Sequence, residues 1–294
     1  MKIGIYGQFY HENSEIYIQM LLDILQKREA EVYIEQNFFK IITNHEDITK
    51  NFSGFSTFSK LDSSFDLFFS IGGDGTILKA ITFVSDLDIP IVGINTGRLG
   101  FLATIQKEEI TESLNKILEG EYTISERSLL TVETIPKNNH DEPLNFALNE
   151  VAVNRTNTSS MIKVETWVDD HYLTSYWSDG LIIATPTGST GYSLSCGGPI
   201  IDPSACNFLL TPIAPHNLNA RPLVMPDSTV IKLKVSGRED SFLLSLDSRT
   251  ATVANNTEII IKKAPFTIKF LQLKEDSFID TLRKKLLWGE DKRN

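Results

Sequence analysis

Residues 65–76 read FDLFFSIGGDGT, and the fold turns on how this stretch is read. From Phe65 to Ile71 it is apolar except at Asp66 and Ser70, the pattern of a strand covered on both faces in a parallel sheet. The run stops at Gly72 and Gly73, followed by one acid, Asp74, then Gly75 and Thr76. Beyond it, TILKAITFVSD (76–86) places Ile77, Ala80, Ile81 and Val84 on one helical face. A strand that ends in glycines and runs into a helix offers bare backbone at the carboxyl edge of a sheet, where open α/β sheets bind ligands. Glycines permit positive φ and let phosphate oxygens approach amide N–H groups, and the helix N-terminus favours an anion. The spacing fits neither a Walker A loop nor GxGxxG. Asp74 is the unusual member. A carboxylate among phosphate-binding amides repels the ligand unless it orients a magnesium ion or takes a proton from a hydroxyl attacking phosphorus. A tight turn in which aspartate tolerates the left-handed region explains the same five residues, and on the motif alone both readings stand.

Working outward, the first part of the chain alternates strands and helices. KIGIYG (2–7) is a short strand ending in glycine, and residues 13–32 have helical spacing with Asn13 or Ser14 as the cap. EVYIE (31–35) is the next strand, residues 44–64 are a polar loop, IPIVGIN (89–95) is a second buried strand, and KEEITESLNKILEGE (107–121) is an amphipathic helix. This alternation predicts a parallel sheet, Rossmann-like in type. After about residue 122 the texture changes to β-branched runs broken by turns, among them NFALNEVAVNR (145–155), SMIKVETWVDD (160–170), DGLIIAT (179–185), TVIKLKVS (229–236) and EIIIKKA (258–264). These predict an all-β second domain, a two-layer sandwich. The tail from 277 is helical again, with Phe278, Leu282 and Leu286 on one stripe. The expected division is an α/β domain at 1–122 carrying the glycine turn, an all-β domain at 123–270, and a C-terminal helix at 271–294 packing back on the first domain.

Composition narrows the functions. The 294 residues carry a formal net charge of −10, so the overall basic footprint of a nucleic-acid binder is missing and a phosphorylated ligand must be met by local donors or a metal. Cys196 and Cys206 form no CxxC pair, which argues against a zinc site and a disulfide framework and for a reducing compartment. MKIGIYG enters a strand at once, and no apolar run is long enough to cross a membrane. The expectation is a cytoplasmic protein acting without nucleic acid or membrane, and no residue is assigned as a metal ligand.

Three further blocks concentrate chemistry. Asn149 and Glu150 follow an apolar run. Adjacent amide and carboxylate groups can grip ribose hydroxyls or a carboxamide, although the dipeptide alone favours a polar turn. In SDGLIIATPTGSTGYSLSCGGP (178–199), Pro186 and Gly188 bend the chain, Thr187, Ser189 and Thr190 supply hydroxyls beside small residues, and Tyr192 offers an aromatic face suited to adenine. A Ser/Thr-rich turn with Tyr192 in a core accounts for single residues there but not for their concentration. In TPIAPHNLNARPLVMP (211–226) the prolines make a rigid loop, and His216 reads as a loop histidine rather than a base. Arg98 could meet phosphate and is otherwise a solvated loop charge, while Lys79, one turn beyond Thr76, reaches phosphates or snorkels to water.

GGDGT resembles the signature shared by NAD kinases, diacylglycerol- and sphingosine-type lipid kinases and, in variant form, phosphofructokinases. INTGRLGFLA (94–103), LNEVAVNR (148–155), DGLIIATPTGSTGYSLSCGGPII (179–201) and LTPIAPHNLNARPLVMP (210–226) resemble NAD kinase blocks in NAD kinase order, so the likeness covers most of the chain from Asp66 onward. It implies transfer of the terminal phosphoryl group of ATP to the 2′-hydroxyl of the adenosine ribose of NAD, with Mg²⁺ or another divalent cation and with Asp74 as base. It implies nucleotide contacts at Gly72, Gly73, Gly75, Thr76 and Lys79. It implies dinucleotide contacts at Asn149, Glu150, Thr187, Thr190, Gly191, Tyr192, Ser193, Leu194, Ser195 and Ala214, with Asp179 near the nicotinamide carboxamide. It also implies a homodimer or homotetramer. Alanine is usual in the family where Gly191 stands. Many bacterial members carry DGQ where this chain has Asp247, Ser248 and Arg249, so Arg249 is either a phosphate contact or part of a surface turn. Trp177 stands where some members have arginine. A lipid kinase using the same turn and a non-catalytic NADP(H) sensor are the alternatives. The missing membrane-facing segment and the TGSTGYS block oppose the first, and the retained Asp74 opposes the second.

Overall fold

Every residue of the strand Leu67–Ile71 is buried, as its unbroken apolar run requires. The computed structural model describes residues 1–8, 14–46, 48, 52–136, 145–157, 160–275 and 277–288. The chain divides into two compact units, Met1–Glu126 with Ile268–Asn294, and Arg127–Thr267.

In the first unit Leu67–Ile71 pairs in parallel with Lys2–Gly7 on one side and Ile91–Asn95 on the other. Lys2–Gly7 pairs in turn with Glu31–Glu35, and that strand with Ser56–Phe58, again in parallel. Strand order therefore reverses between Lys2–Gly7 and Leu67–Ile71, which makes their carboxyl ends, Gly7 and Ile71, the switch point of the sheet. Ile91–Asn95 also pairs with Ile105–Gln106 and with Ile268–Leu273, through which the C-terminal segment re-enters this sheet. The helices Ser14–Lys27 and Ile110–Leu118 bury Ile18, Leu21, Leu22, Leu25, Ile110, Leu114 and Ile117 in one cluster with Ile3, Ile5, Phe69 and Val92 of the strands. Burying each such side chain stabilises the unit by roughly 1.5–3 kcal/mol. Ser14 is the first helical residue, and Asn13 lies outside the described residues. The terminal helix Phe278–Leu286 buries Leu282 and has Phe278 and Leu286 half-buried on the same stripe.

One element departs from the sequence expectation, and a second lies in a stretch, 36–43, for which the sequence offered none. Ser56–Phe58 forms a short strand inside the expected polar loop, with only Phe58 buried, so it carries too little alternation to be read in advance. Gln36–Thr43 is a helix that follows Glu35 with no intervening loop. Glu35 makes this possible, because its buried carboxylate caps the helix by accepting from the N–H groups of Asn37 and Phe38 at 3.0 and 2.8 Å. Glutamate is an uncommon cap, and the start signal was hidden for that reason.

The second unit holds two six-stranded sheets among its described residues, and every pairing of known register in them is antiparallel. Alternate residues of both sheets, including Val151, Val153, Leu181, Ile183 and Phe242 from one and Val164, Leu233, Val235, Ile259 and Ile261 from the other, meet in one core, which makes the unit a two-layer sandwich. The strand Gly180–Ala184 is buried throughout. Leu181 and Ile183 face the sandwich core. Ile182 and Ala184 face the opposite way, against Cys196 and Ile201 of the segment that follows. The hydroxyl-rich stretch thus packs as a cover on the outer face of its own sheet. Among the described residues no helix is long and apolar enough to cross a membrane.

Candidate active site

In the first unit the glycine turn sits at the switch point. Gly72 has φ +148°, and a Cβ there would lie 2.2 Å from Thr76 Oγ1, so only glycine fits. A Cβ on Gly73 or Gly75 would meet nothing within 4 Å, which leaves the backbone beside the turn open to a ligand. Asp74 is the first residue of the helix Asp74–Val84, where the macrodipole and the uncommitted N–H groups of the first turn favour negative charge. Its carboxylate is held from the loop that follows Ile91–Asn95. Oδ2 accepts from Phe101 N–H at 2.8 Å, and Oδ1 accepts from Leu102 and Ala103 N–H at 3.0 and 3.1 Å. Buried Asn95 shapes that loop by accepting from Gly97 N–H and donating to the Arg98 carbonyl. A carboxylate has about four lone-pair sites, so three amide bonds fix its orientation and leave one site for a further donor. Thr76 Oγ1 is buried with no hydrogen-bond partner, while Lys79 and Arg98 are exposed.

In the second unit Asn149 and Glu150 lie at the start of the strand Glu150–Arg155, and the turn after Gly180–Ala184 packs against them. Thr185 makes the junction. Its hydroxyl donates to the Leu148 carbonyl at 2.6 Å and accepts from Gly188 N–H at 3.1 Å, and its own N–H donates to the Asn149 carbonyl at 2.9 Å. A Cβ on Gly188 would come within 2.0 Å of that carbonyl, so this contact too requires glycine. A Cβ on Gly191 would lie 3.1 Å from Glu150 Oε2. The absent side chain therefore leaves room beside a carboxylate oxygen that is buried without a partner, and Asn149 Oδ1 is likewise buried and unpartnered. Burial, then the nearby Asp247 charge, pushes the Glu150 carboxyl up from 4.5 to about 7 against one bond from the Tyr192 N–H.

The remaining residues singled out from sequence separate into two groups. Half-exposed Tyr192, exposed Ser195 and half-buried Thr190, Gly191 and Leu194 lie along the turn. Thr187 and Ser193 are buried, Ser193 bonded to Thr211 Oγ1 at 2.8 Å, while Thr190 donates to the Thr187 carbonyl at 3.1 Å. Asp179 pairs with Arg155 at 2.8 Å. Ala214 holds φ +42°, a left-handed conformation uncommon for a residue with a Cβ, and His216 is exposed. The Arg249 guanidinium donates to the Phe146 carbonyl, stacks 5.3 Å over the Phe146 ring and lies 3.9 Å from Asp247. Sequence reasoning did not find Thr185, Gly188 as a packing contact, or Gly100, over which the Asp74 carboxylate lies. Their signal was only adjacency to glycines already flagged. Among the described residues no three of His, Cys, Asp and Glu gather as a metal cage.

A glycine-lined strand end with an oriented carboxylate thus stands at the switch point of a parallel sheet, where open α/β sheets bind ligands. Residues 3–122 match the ATP-NAD kinase N-terminal domain and residues 148–273 the ATP-NAD kinase C-terminal domain. The chain is 64% identical to an NAD kinase of Christiangramia forsetii and 53% identical to one of Flavobacterium psychrophilum, each over 100% of both chains. Among solved structures it is similar to an NAD kinase from Archaeoglobus fulgidus in complex with ATP, with a TM-score of 0.74 and 26% identity over 98% of this chain and 99% of that one. It shares its fold with yeast NADH kinase complexed with NADH, with a TM-score of 0.84 and 23% identity over 99% of this chain and 88% of that one. The chain belongs to the ATP-NAD kinase family.

Proposed function

We propose that this NAD kinase transfers the terminal phosphoryl group of ATP to the 2′-hydroxyl of the adenosine ribose of NAD, with Asp74 as the general base. The observation that carries the base is the carboxylate itself. Three amides orient it, one lone-pair site is uncommitted, and it stands where the backbone beside it is bare.

A ribose hydroxyl is a poor nucleophile at neutral pH. Asp74 accepts its proton as the new O–P bond forms and the bond from the terminal phosphorus to the leaving ADP oxygen breaks, a contribution of about 10²–10⁴-fold. The glycine backbone and the N-terminus of Asp74–Val84 offset the triphosphate charge. The one uncommitted lone-pair site of Asp74 goes to the ribose hydroxyl, so a magnesium ion would be carried by the nucleotide phosphates and water, which suits an ion that keeps several waters and binds through few protein carboxylates. When bound, such an ion neutralises charge that develops on the transferred group. In the second unit the two unpartnered acceptors, Asn149 Oδ1 and Glu150 Oε2, suit the hydroxyls of a ribose, and half-exposed Tyr192 offers a face for a base. Two free cysteines and the acidic net charge support a cytoplasmic enzyme working without nucleic acid, and the family likeness supports a homodimer or homotetramer.

The test is a coupled assay with NAD, ATP and Mg²⁺, scored for NADP. NADP should appear in proportion to ATP consumed. Tight NADP(H) binding with no ATP turnover would favour the sensor reading instead.

A further inference from the structure

In sequence Asp247 belongs to what reads as a surface turn after FLLSL. Its side chain is in fact 1% exposed. Oδ1 accepts from Asn149 and Glu150 N–H at 2.7 and 3.2 Å, and Oδ2 accepts from Leu148 N–H at 2.9 Å. Its own N–H returns a bond to the Glu150 carbonyl at 2.9 Å, and its φ is +52°, so the backbone accepts an uncommon conformation to keep this contact. Arg249 braces the same segment from the Phe146 carbonyl. We propose that Asp247 is a positioning residue for the dinucleotide. Its carboxylate gathers three consecutive amides and so fixes the Asn149–Glu150 peptide, aiming both unpartnered side-chain oxygens at the ligand. The inference rests on the reading of Asn149 and Glu150 as dinucleotide contacts.

The geometry requires a carboxylate. Asparagine offers one acceptor oxygen, so its NH₂ group must face at least one of the three buried N–H donors, and an unsatisfied buried amide loosens the segment. The charge has a second effect. The groups facing Glu150 are the Asp247 carboxylate, with Arg249 beside it, and Tyr192, whose N–H bonds Glu150 and whose phenol also senses Asp179. Of these, the Asp247 charge raises the proton affinity of Glu150, so neutralising it should let Glu150 ionise at lower pH.

The experiment compares Asp247→Asn and Glu150→Gln with the wild type for KM of NAD, KM of ATP and kcat across pH. Asp247→Asn should raise KM for NAD by about tenfold to a hundredfold, with kcat falling far less and KM for ATP unmoved. The acidic limb of its NAD-affinity profile should shift to lower pH, which a purely structural defect would not cause. If Glu150→Gln leaves KM for NAD unchanged, the dinucleotide reading of that pair fails. If Glu150→Gln raises it and Asp247→Asn does not, the positioning role fails. Asp247→Ser, which keeps one acceptor, is the second variant. Loss of the folded state in both, judged by thermal melting, would make Asp247 a structural residue and overturn the proposal.

Discussion

Gly100 and Asp74 are matched so closely that a Cβ on Gly100 would sit 1.9 Å from Asp74 Oδ1. Two segments separated in sequence, GGDGT and NTGRLGF, are therefore one construction. The second supplies the amides that hold the acid of the first, and its glycine leaves the acid space.

Gly100→Ala tests that relationship. The added methyl must displace the carboxylate from the amides of Phe101, Leu102 and Ala103. A displacement of about 1 Å in a reacting group costs on the order of 10²-fold in rate. Steady-state assays should show that loss in kcat, with KM for NAD nearly unchanged. Wild-type kcat in a folded Gly100→Ala protein would mean the carboxylate position does not matter.

Thr185→Val tests the junction in the second unit. Valine keeps the shape but removes the hydroxyl that joins the Leu148 carbonyl to Gly188 N–H. Leaving those groups unpaired in a buried site should destabilise the unit by about 1–3 kcal/mol. Denaturant unfolding should show a lower midpoint with an unchanged slope, and KM for NAD should rise.

Glu150 predicts a pH dependence of stability without ligand. Its carboxyl titrates at about 7 in the fold against an ordinary 4.5, so the folded protein favours the protonated form. The stabilisation is complete below about 4.5, declines as pH rises and is gone above about 7, a change on the order of 3 kcal/mol. Glu150→Gln stays neutral and should melt higher than wild type at pH 8, with the difference vanishing near pH 4. A difference independent of pH would exclude this titration as the cause.

Much of this was legible in the sequence, for reasons that can be named. The unbroken apolar run at 67–71 could only be a strand covered on both faces, and the period of Ile77, Ala80, Ile81 and Val84 could only be a helix behind it. The alternation of the later strands gave the sandwich its inner face. The tertiary partners of short polar residues were not legible. Asp247 follows FLLSL and is a turn residue by local pattern, and nothing nearby in sequence says that its carboxylate caps Leu148 to Glu150. Glu35 hid a helix start in the same way. Arg249, read as a phosphate contact or part of a surface turn, stacks on Phe146, a residue about a hundred positions earlier.

The most direct measurement is NAD binding and NADP formation by Asp74→Asn, compared with the wild type at saturating ATP and Mg²⁺. Asparagine cannot take the ribose proton, and it also weakens the grip on Phe101–Ala103. NAD affinity should stay within about threefold of wild type, while NADP formation should fall by about 10²-fold or more. NADP formed at a rate close to wild type would contradict the role of Asp74 as base.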